Sequence, residues 1–258
     1  MPSFFKGFGA ATLSFFLFLV LLICPFSKIQ AQNILFFDDF DSNRENWKEI
    51  SQTWEIRPFQ NSNVFGTSFL PTNTRALVFA DKEGAEQWGN YSVDASLLSL
   101  NGVDQMVWVR VKEEQGKYSY YSVNLRASGW VDSNNIRIRK VVNDNHIWVH
   151  QVNPSEIGCD IEHNKWYKVR IELMGEKIKT YITCPSEDTS RLIFEKNDTD
   201  SPLLEGFLAL DAWSGSWYLG VEKLFDDVKV DTMIKKVMPV IILPGLGASW
   251  NTEAILNG

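Results

Sequence analysis

The chain has 258 residues and a formal charge of −7 at pH 7, from 25 Lys and Arg against 32 Asp and Glu. An acidic chain repels the phosphate backbone of nucleic acids, so we expect no nucleic-acid partner. Hydrophobic residues make up 45 % and charged residues 22 %, which is typical of globular proteins and argues against disorder. All ten Trp follow position 46, and this aromatic surplus favours flat apolar ligands such as sugars.

The N-terminus has the anatomy of a secretory signal peptide. Lys6 supplies a positive charge, an almost unbroken apolar run extends from Ala10 to Cys24, and Ala31 offers a small residue for cleavage. The run is shorter than the roughly 20 apolar residues of a spanning helix. We therefore predict that residues 1–31 are removed and that the mature protein is secreted, periplasmic or on the cell surface, with no stable membrane insertion. An uncleaved N-terminal anchor is the alternative.

From residue 33 to about 231 the hydrophobic pattern is that of β-strands. Apolar and polar residues alternate with a period of two, and turn-forming residues separate the runs at short intervals. The clearest runs are 105–111, 118–127, 135–141, 146–150 and 166–174. Because no amphipathic helical stretch interrupts them, the pattern predicts an all-β fold, a two-sheet antiparallel sandwich of about a dozen strands.

Several motifs in this span resemble those of concanavalin A-like, laminin G-like jelly-roll sandwich domains. They are the "DDF" opening at residues 38–40 with Trp47 and Trp54, the hairpin from residue 164 to Tyr181, the strand at 206–210, and the closing "DDVKV" at 226–230. The resemblance covers nearly all of residues 33–231. It implies a domain that binds or cleaves glycans, in a group that includes 3-keto-disaccharide hydrolase-like domains. The motifs themselves are structural and identify no substrate.

Two successive predicted strands carry a candidate carbohydrate-binding patch, provided that they are neighbours in one sheet. Trp108 and Arg110 share one face of the first strand, whereas Tyr120, Asn124 and Arg126 share one face of the second. Aromatic rings stack on the C–H faces of sugars, and fixed Arg and Asn groups hydrogen-bond the hydroxyls. The alternative is that these side chains only cover the sheet surface.

Glu156, Asp160 and Glu162 are weak catalytic candidates. Their spacing is similar to the carboxylate signature of laminarinase-like glycoside hydrolases, in which alternate carboxylates project from one strand. Here two extra residues separate Glu156 from Asp160, and Gly158 interrupts a regular strand. An acidic loop is the favoured interpretation.

Two pairs of Asp residues, at 38–39 and 226–227, stand at the two ends of the predicted sandwich and suggest a structural Ca²⁺. No cofactor is required, and calcium is the one that we predict. In the fold that the chain resembles, the first and last strands often lie side by side, so Asp39 and Asp227 could share the ion. Calcium needs six to eight oxygen ligands. Solvated strand ends are the alternative.

Two cysteines, Cys159 and Cys184, remain after the signal peptide. They lie near one end of a predicted hairpin, and an oxidising compartment would allow them to pair. The sequence leaves open whether these cysteines form a disulfide or remain two free thiols. We expect no metal at this pair, since no His or third Cys lies at zinc spacing.

The last segment, residues 232–258, changes from alternation to a continuous apolar run at 237–243, followed by a Gly-rich turn. This is similar to the entry of an α/β-hydrolase of the lipase or esterase type, in which a backbone N–H helps to bind the oxyanion. By position that donor is Leu246. The nucleophile elbow would follow Gly258, so we interpret the segment as a linker and the start of a truncated hydrolase domain.

No complete catalytic constellation is present in this chain. The leading hypothesis is an exported carbohydrate-binding module that serves as an accessory to a larger hydrolase. The alternatives are that the sandwich itself cleaves glycans, or that it is a non-catalytic adhesion module.

Overall fold

The computed structural model describes residues 33–51, 54–129, 132–216 and 220–234. The predicted signal peptide, Leu246 and almost all of the predicted hydrolase segment lie outside these residues. Within the described ranges, no helix is long and apolar enough to cross a membrane.

The described residues form fifteen strands and two short helical turns. The strands are β1 (Ile34–Asp38), β2 (Trp47–Ser51), β3 (Trp54–Phe59), β4 (Ser62–Thr67), β5 (Arg75–Ala80), β6 (Tyr91–Ser99), β7 (Asp104–Glu114), β8 (Lys117–Arg126), β9 (Asn135–Val142), β10 (Asn145–Val152), β11 (Trp166–Met174), β12 (Lys177–Thr183), β13 (Arg191–Asn197), β14 (Phe207–Trp213) and β15 (Lys223–Thr232). A 3-10 turn spans Ala85–Gln87, and helix α1 spans Pro154–Ile157.

The strands form two antiparallel sheets in the described part of the chain. The eight-stranded sheet has the order β13-β12-β11-β6-β15-β4-β3, and β1 also pairs with β15. The seven-stranded sheet has the order β10-β9-β8-β7-β14-β5-β2. The predicted all-β, two-sheet antiparallel sandwich is therefore confirmed.

The period of two in the sequence corresponds to the two faces of each sheet. In β7, Val107 and Val109 point into the core, as do Val169 and Ile171 of β11, and all four are buried. Burying such a side chain contributes roughly 1.5–3 kcal/mol each, which is why the apolar residues of both sheets face one another. The polar residues that alternate with these apolar residues along each strand point to the two outer faces of the sandwich.

The "DDF" motif of the first strand has a structural role. Asp38 is buried, and its carboxylate accepts hydrogen bonds from the backbone N–H of Phe40 at 2.8 Å and from the indole of Trp47 at 2.9 Å. Asp38 also lies opposite Val228 of the last strand. The motif thus fixes the chain entry beside β15, and it makes the first and last strands neighbours.

Two links tie loops to the sandwich. Cys159 and Cys184 form a disulfide with Cα atoms 6.3 Å apart, joining the loop after α1 to the end of β12. Lys140 of β9 forms a buried ion pair with Asp198 at 2.7 Å. Since a buried charge without a partner is costly, this pair fixes the segment that precedes β14.

Candidate functional site

The outer face of the seven-stranded sheet brings together polar residues from five strands. Because the strands are in register, outward side chains form rows across the sheet. One row consists of Leu77, Asp211, Met106, Asn124 and Arg137. The next row consists of Phe79, Ala209, Trp108, Ser122 and Arg139. We call this surface the outer face below.

Four of the five residues predicted for the carbohydrate patch lie on the outer face: Trp108, Tyr120, Asn124 and Arg126. The indole of Trp108 has no exposed surface. Tyr120 covers one side of it with a ring centroid 3.7 Å away, and the guanidinium of Arg75 lies 5.4 Å from its centroid. The strand parity is as predicted, but Trp108 forms the floor of the face and offers no open ring surface.

Arg110 does not join the outer face. It lies in a β-bulge with φ 50°, where the register between β7 and β8 shifts, so the alternation of side chains is interrupted. Its guanidinium donates to the carbonyls of Gly89 at 2.9 Å, Gly175 at 2.6 Å and Leu203 at 2.6 Å. Arg110 therefore holds three loops together at the end of the sandwich.

Asp211 of β14 occupies the centre of the outer face and was missed by the sequence analysis. Its side chain has no exposed surface, and neither carboxylate oxygen has a hydrogen-bond partner. Burial raises the pKa of Asp211 to about 6, against the opposing effects of Arg75 and Arg139. Arg75 Nε lies 3.5 Å from one carboxylate oxygen, and the indole N–H of Trp108 is near without hydrogen-bond geometry. The sequence signal was a lone Asp within the apolar run of residues 207–213.

Unpaired polar atoms are concentrated on this face. Eleven buried side-chain nitrogen and oxygen atoms in the described part of the chain have no hydrogen-bond partner, and six of them lie here. They are Trp108 Nε1, Ser122 Oγ, Asn135 Oδ1, Arg139 Nε and both carboxylate oxygens of Asp211. Native proteins rarely leave buried polar atoms unpaired, so such a concentration indicates a place where water or a ligand supplies the partners.

Asp104 organises one end of the outer face. Its Oδ1 accepts hydrogen bonds from Asn124 Nδ2 at 2.6 Å and from Arg126 Nε at 3.0 Å. Arg126 also donates to the carbonyl of Asp132. These bonds hold the two predicted patch residues in fixed orientations, which favours specific hydrogen bonding to a ligand.

Trp213 is the exposed aromatic residue of this face, and the sequence analysis did not single it out. It ends β14 with 37 % of its surface exposed, and it lies opposite both Arg75 and Asp104. An exposed indole beside charged and amide groups is a suitable stacking surface for a sugar ring.

The structure does not bring the three catalytic candidates together on one strand. Glu156 belongs to α1, where it accepts a hydrogen bond from the backbone N–H of Asn153 at 3.0 Å. Asp160 accepts from Asn134 Nδ2 at 2.9 Å, and Glu162 pairs with Lys165. The three carboxylates stabilise a helix start and a loop, as the acidic-loop interpretation expected.

The acid pairs at the sandwich ends do not complete a calcium site in the described residues, where no three His, Cys, Asp or Glu side chains are close enough to hold a metal. Asp39 accepts from the backbone N–H of Asp41 at 3.2 Å, and Asp227 is exposed. Burial is the main cause that raises the pKa of Asp226 to about 6; the backbone N–H of Asp227 acts against this shift, and the negative charge of Asp227 acts with it.

Away from the outer face, buried Lys223 and half-buried His163 both contact the hydroxyl of buried Ser99. Lys223 Nζ donates to Ser99 Oγ at 2.5 Å, and His163 Nδ1 lies 3.3 Å from the same oxygen. Burial lowers the pKa of Lys223 to about 7. The cavity beside Ser99 has a volume of about 10 Å³, which is room for about one water. The group is therefore structural and has no space for a substrate.

Comparisons with known proteins bear on the fold. No family model and no curated protein matches the chain. The carbohydrate binding module CBM66 from Bacillus subtilis has a TM-score of 0.53 at 15 % identity, over 72 % of this chain and 96 % of that one. The β-glucanase of Bacillus licheniformis has a TM-score of 0.55 at 12 % identity, over 80 % of this chain and 100 % of the glucanase chain. The VIP36 exoplasmic/lumenal domain, in its Ca²⁺/Man3GlcNAc-bound form, has a TM-score of 0.53 at 9 % identity, over 77 % of this chain and 90 % of the VIP36 chain. The chain thus has the concanavalin A-like β-sandwich fold.

Proposed function

We propose that the sandwich binds carbohydrate on the outer face of the seven-stranded sheet. The observation that carries the proposal is the set of buried, unpaired polar atoms around Asp211, next to the exposed ring of Trp213. Sugar hydroxyls both donate and accept hydrogen bonds, so they can pair directly with the partly exposed guanidinium groups of this face and, through bridging water, with its buried carboxylate and serine hydroxyl.

The proposed roles follow from the chemistry of each side chain. Trp213 stacks on the C–H face of a sugar ring. Asp211, which has no exposed surface, holds the partly exposed guanidinium of Arg75, and Arg75 and Arg139 donate hydrogen bonds to the hydroxyls. Three similar solved structures have carbohydrate binding, glucanase activity or a bound mannose-containing glycan in their descriptions, and this supports a sugar ligand for the present chain.

The wider setting is part of the proposal. The signal peptide at residues 1–31 makes this an exported protein, and the apolar run at 237–243 with Leu246 makes the sandwich an accessory module of a larger hydrolase. Sequencing the gene beyond the codon for Gly258 tests this. A downstream G-x-S-x-G elbow with its acid and His is expected, whereas a stop codon would contradict the accessory role.

The proposal requires no metal ion and no nucleic-acid partner. The chain is acidic, with a formal charge of −7. Calcium is present in the VIP36 form described above, but the acid pairs of this chain do not form a comparable group of ligands in the described residues.

The binding experiment uses the mature chain on a glycan array, followed by calorimetry with the best glycan. Trp213→Ala should lower the affinity about tenfold, since an aromatic contact contributes on the order of 1 kcal/mol or more. Trp166→Ala, on the outer side of the other sheet, is the matched control and should bind normally. Binding of no glycan, or equal affinity for both variants, would refute the proposal.

Glycan hydrolysis is a second candidate function, favoured by the two carboxylates on the outer face. The pKa of Asp211 is raised to about 6, which suits a general acid, and Asp104 lies on the neighbouring strand. Release of reducing sugar that disappears in Asp211→Asn would establish this function. Binding without any release would leave the sandwich a binding module.

A further inference from the structure

The outer face is rich in unneutralised positive charge, although the whole chain is acidic with a formal charge of −7. Besides Arg126, three arginines project from it: Arg75, Arg137 and Arg139. Asp104 is already paired with Arg126 at 3.0 Å. Asp211 is therefore the other carboxylate of this face; Arg75 lies 3.5 Å from it, and Arg139 also acts on it electrostatically.

Arg137 and Arg139 have weak or neutral partners. Arg139 Nη2 contacts the sulfur of Met106 at 2.6 Å, and its Nε is buried without a partner. Arg137 Nε donates to the amide oxygen of Gln151 at 3.3 Å. In the described ranges, no ion pair joins either arginine to a carboxylate. Since Arg137 and Arg139 are two residues apart along β9, their side chains lie on the same side of the sheet.

The titration of neighbouring groups is consistent with a positive field at this place. Burial lowers the pKa of Arg137, and the charge of Arg126 lowers it further, in spite of Asp104 and Asp132. Burial also lowers the pKa of His146 on β10, with additional effects of Arg139 and Arg75. Burial is the largest cause at both groups, and the charge of Arg139 lowers the pKa of each of them.

Resting on the proposed function, we propose that the glycan bound on the outer face is anionic, with a carboxylate or sulfate group held by Arg137 and Arg139. A guanidinium group presents its N–H donors in a planar fork that matches the oxygens of either anion. The buried Nε of Arg139 then gains the partner that it lacks. A neutral sugar would satisfy the hydroxyl-binding groups but would leave this positive charge uncompensated.

The test compares polymers that differ in charge alone. Polygalacturonate is paired with carboxyl-reduced polygalacturonate of the same length, and dextran sulfate with dextran. We expect the anionic member of at least one pair to bind about tenfold more tightly than its neutral partner, because charge-assisted hydrogen bonds are the stronger ones. Preference in the first pair assigns a carboxylate, and preference in the second assigns a sulfate. Added salt should weaken the anionic binding.

Variants separate this inference from the proposed function. Arg139→Gln should abolish the preference for the anionic polymer, whereas Arg139→Lys should retain part of it. Arg170→Gln, on the outer side of the other sheet, is the control and should leave it unchanged. Equal binding of charged and neutral polymers overturns the anionic ligand and leaves carbohydrate binding intact. Loss of the preference in Arg170→Gln as well would also overturn the assignment to β9. If neither these polymers nor any arrayed glycan binds, the proposed function fails too.

Discussion

Trp108 and Tyr120 lie face to face on neighbouring strands, with ring centroids 3.7 Å apart and ring planes 5° apart. Both residues are buried, although they belong to an outer face of the sandwich. Aromatic pairs across neighbouring strands contribute to the stability of a sheet. The pair makes a rigid floor on which the polar groups of the proposed binding site are arranged.

Two tryptophans of the outer face should therefore behave differently on truncation. Trp108→Ala should lower the free energy of unfolding by about 3–5 kcal/mol, since it leaves a cavity where a buried indole packed. Trp213→Ala should lower it by less, about 1–2 kcal/mol, because 37 % of the surface of Trp213 is exposed. Denaturant unfolding of both variants measures this. A mild effect of Trp108→Ala would show that the indole faces solvent.

Asp211→Asn should increase stability while it weakens ligand binding. The folded-state pKa of about 6 exceeds the ordinary value of 3.8, so the ionised group destabilises the fold at neutral pH. Removing this charge should raise the free energy of unfolding by roughly 1–3 kcal/mol, since one pKa unit corresponds to about 1.4 kcal/mol.

The pH dependence provides the check on Asp211. Between pH 3.8 and about 6 the folded state binds more protons than the unfolded state, so the wild type loses stability as pH rises through this window. The advantage of Asp211→Asn should therefore grow up to about pH 6 and then level off. An advantage that is constant with pH would contradict the raised pKa.

Lys223→Met should stabilise the protein most at low and neutral pH. The folded chain releases the lysine proton near pH 7, whereas the unfolded chain keeps it up to the ordinary pKa of 10.5. Between these values the unfolded state binds more protons, so the stability of the wild type rises with pH. The benefit of Lys223→Met should shrink over this range, as measured by unfolding at several pH values. Ser99→Ala serves as the control, because it removes the hydrogen bond and keeps the charge.

Reduction of the Cys159–Cys184 disulfide should lower the melting temperature. The bridge closes a segment with a sequence separation of 25, and chain-entropy arguments give about 3 kcal/mol for a loop of this size. The double variant Cys159→Ser, Cys184→Ser should melt at the same temperature with and without reductant. A wild type that is indifferent to reductant would show that the bridge does not form.

Chelation should leave the melting temperature unchanged. An ion that binds only the folded chain raises its stability by mass action, so its removal by EDTA would lower the transition. Asp39→Asn combined with Asp227→Asn is the matching variant. A drop in EDTA that disappears in this double variant would establish the calcium site that the sequence suggested.

The sequence by itself determined the fold class and the faces of the strands. Alternation is a local property, because successive side chains of any strand point to opposite sides. This is why the outward positions of Trp108, Tyr120 and Asn124 could be predicted before the partners of their strands were known. The resemblance to concanavalin A-like sandwiches likewise implied that β1 and β15 are neighbours, and Asp38 does pair with Val228.

Arg110 marks where that local rule ends. A bulge adds a residue to one strand, and the regular alternation of residues 105–111 does not indicate it. Arg110 has a positive φ, and the three carbonyls that accept hydrogen bonds from its guanidinium belong to loops that are distant in sequence. The sequence therefore assigned this side chain to the wrong surface.

The centre of the proposed site was decided by the order of the strands. Asp211 and Trp213 belong to β14, which lies between β7 and β5, about a hundred residues away from β7 along the chain. Strand order depends on non-local pairing, since each strand offers the same hydrogen-bonding groups to any neighbour. The burial of Trp108 and the lack of hydrogen bonds to the carboxylate of Asp211 are consequences of that order, so only the tertiary structure could reveal them.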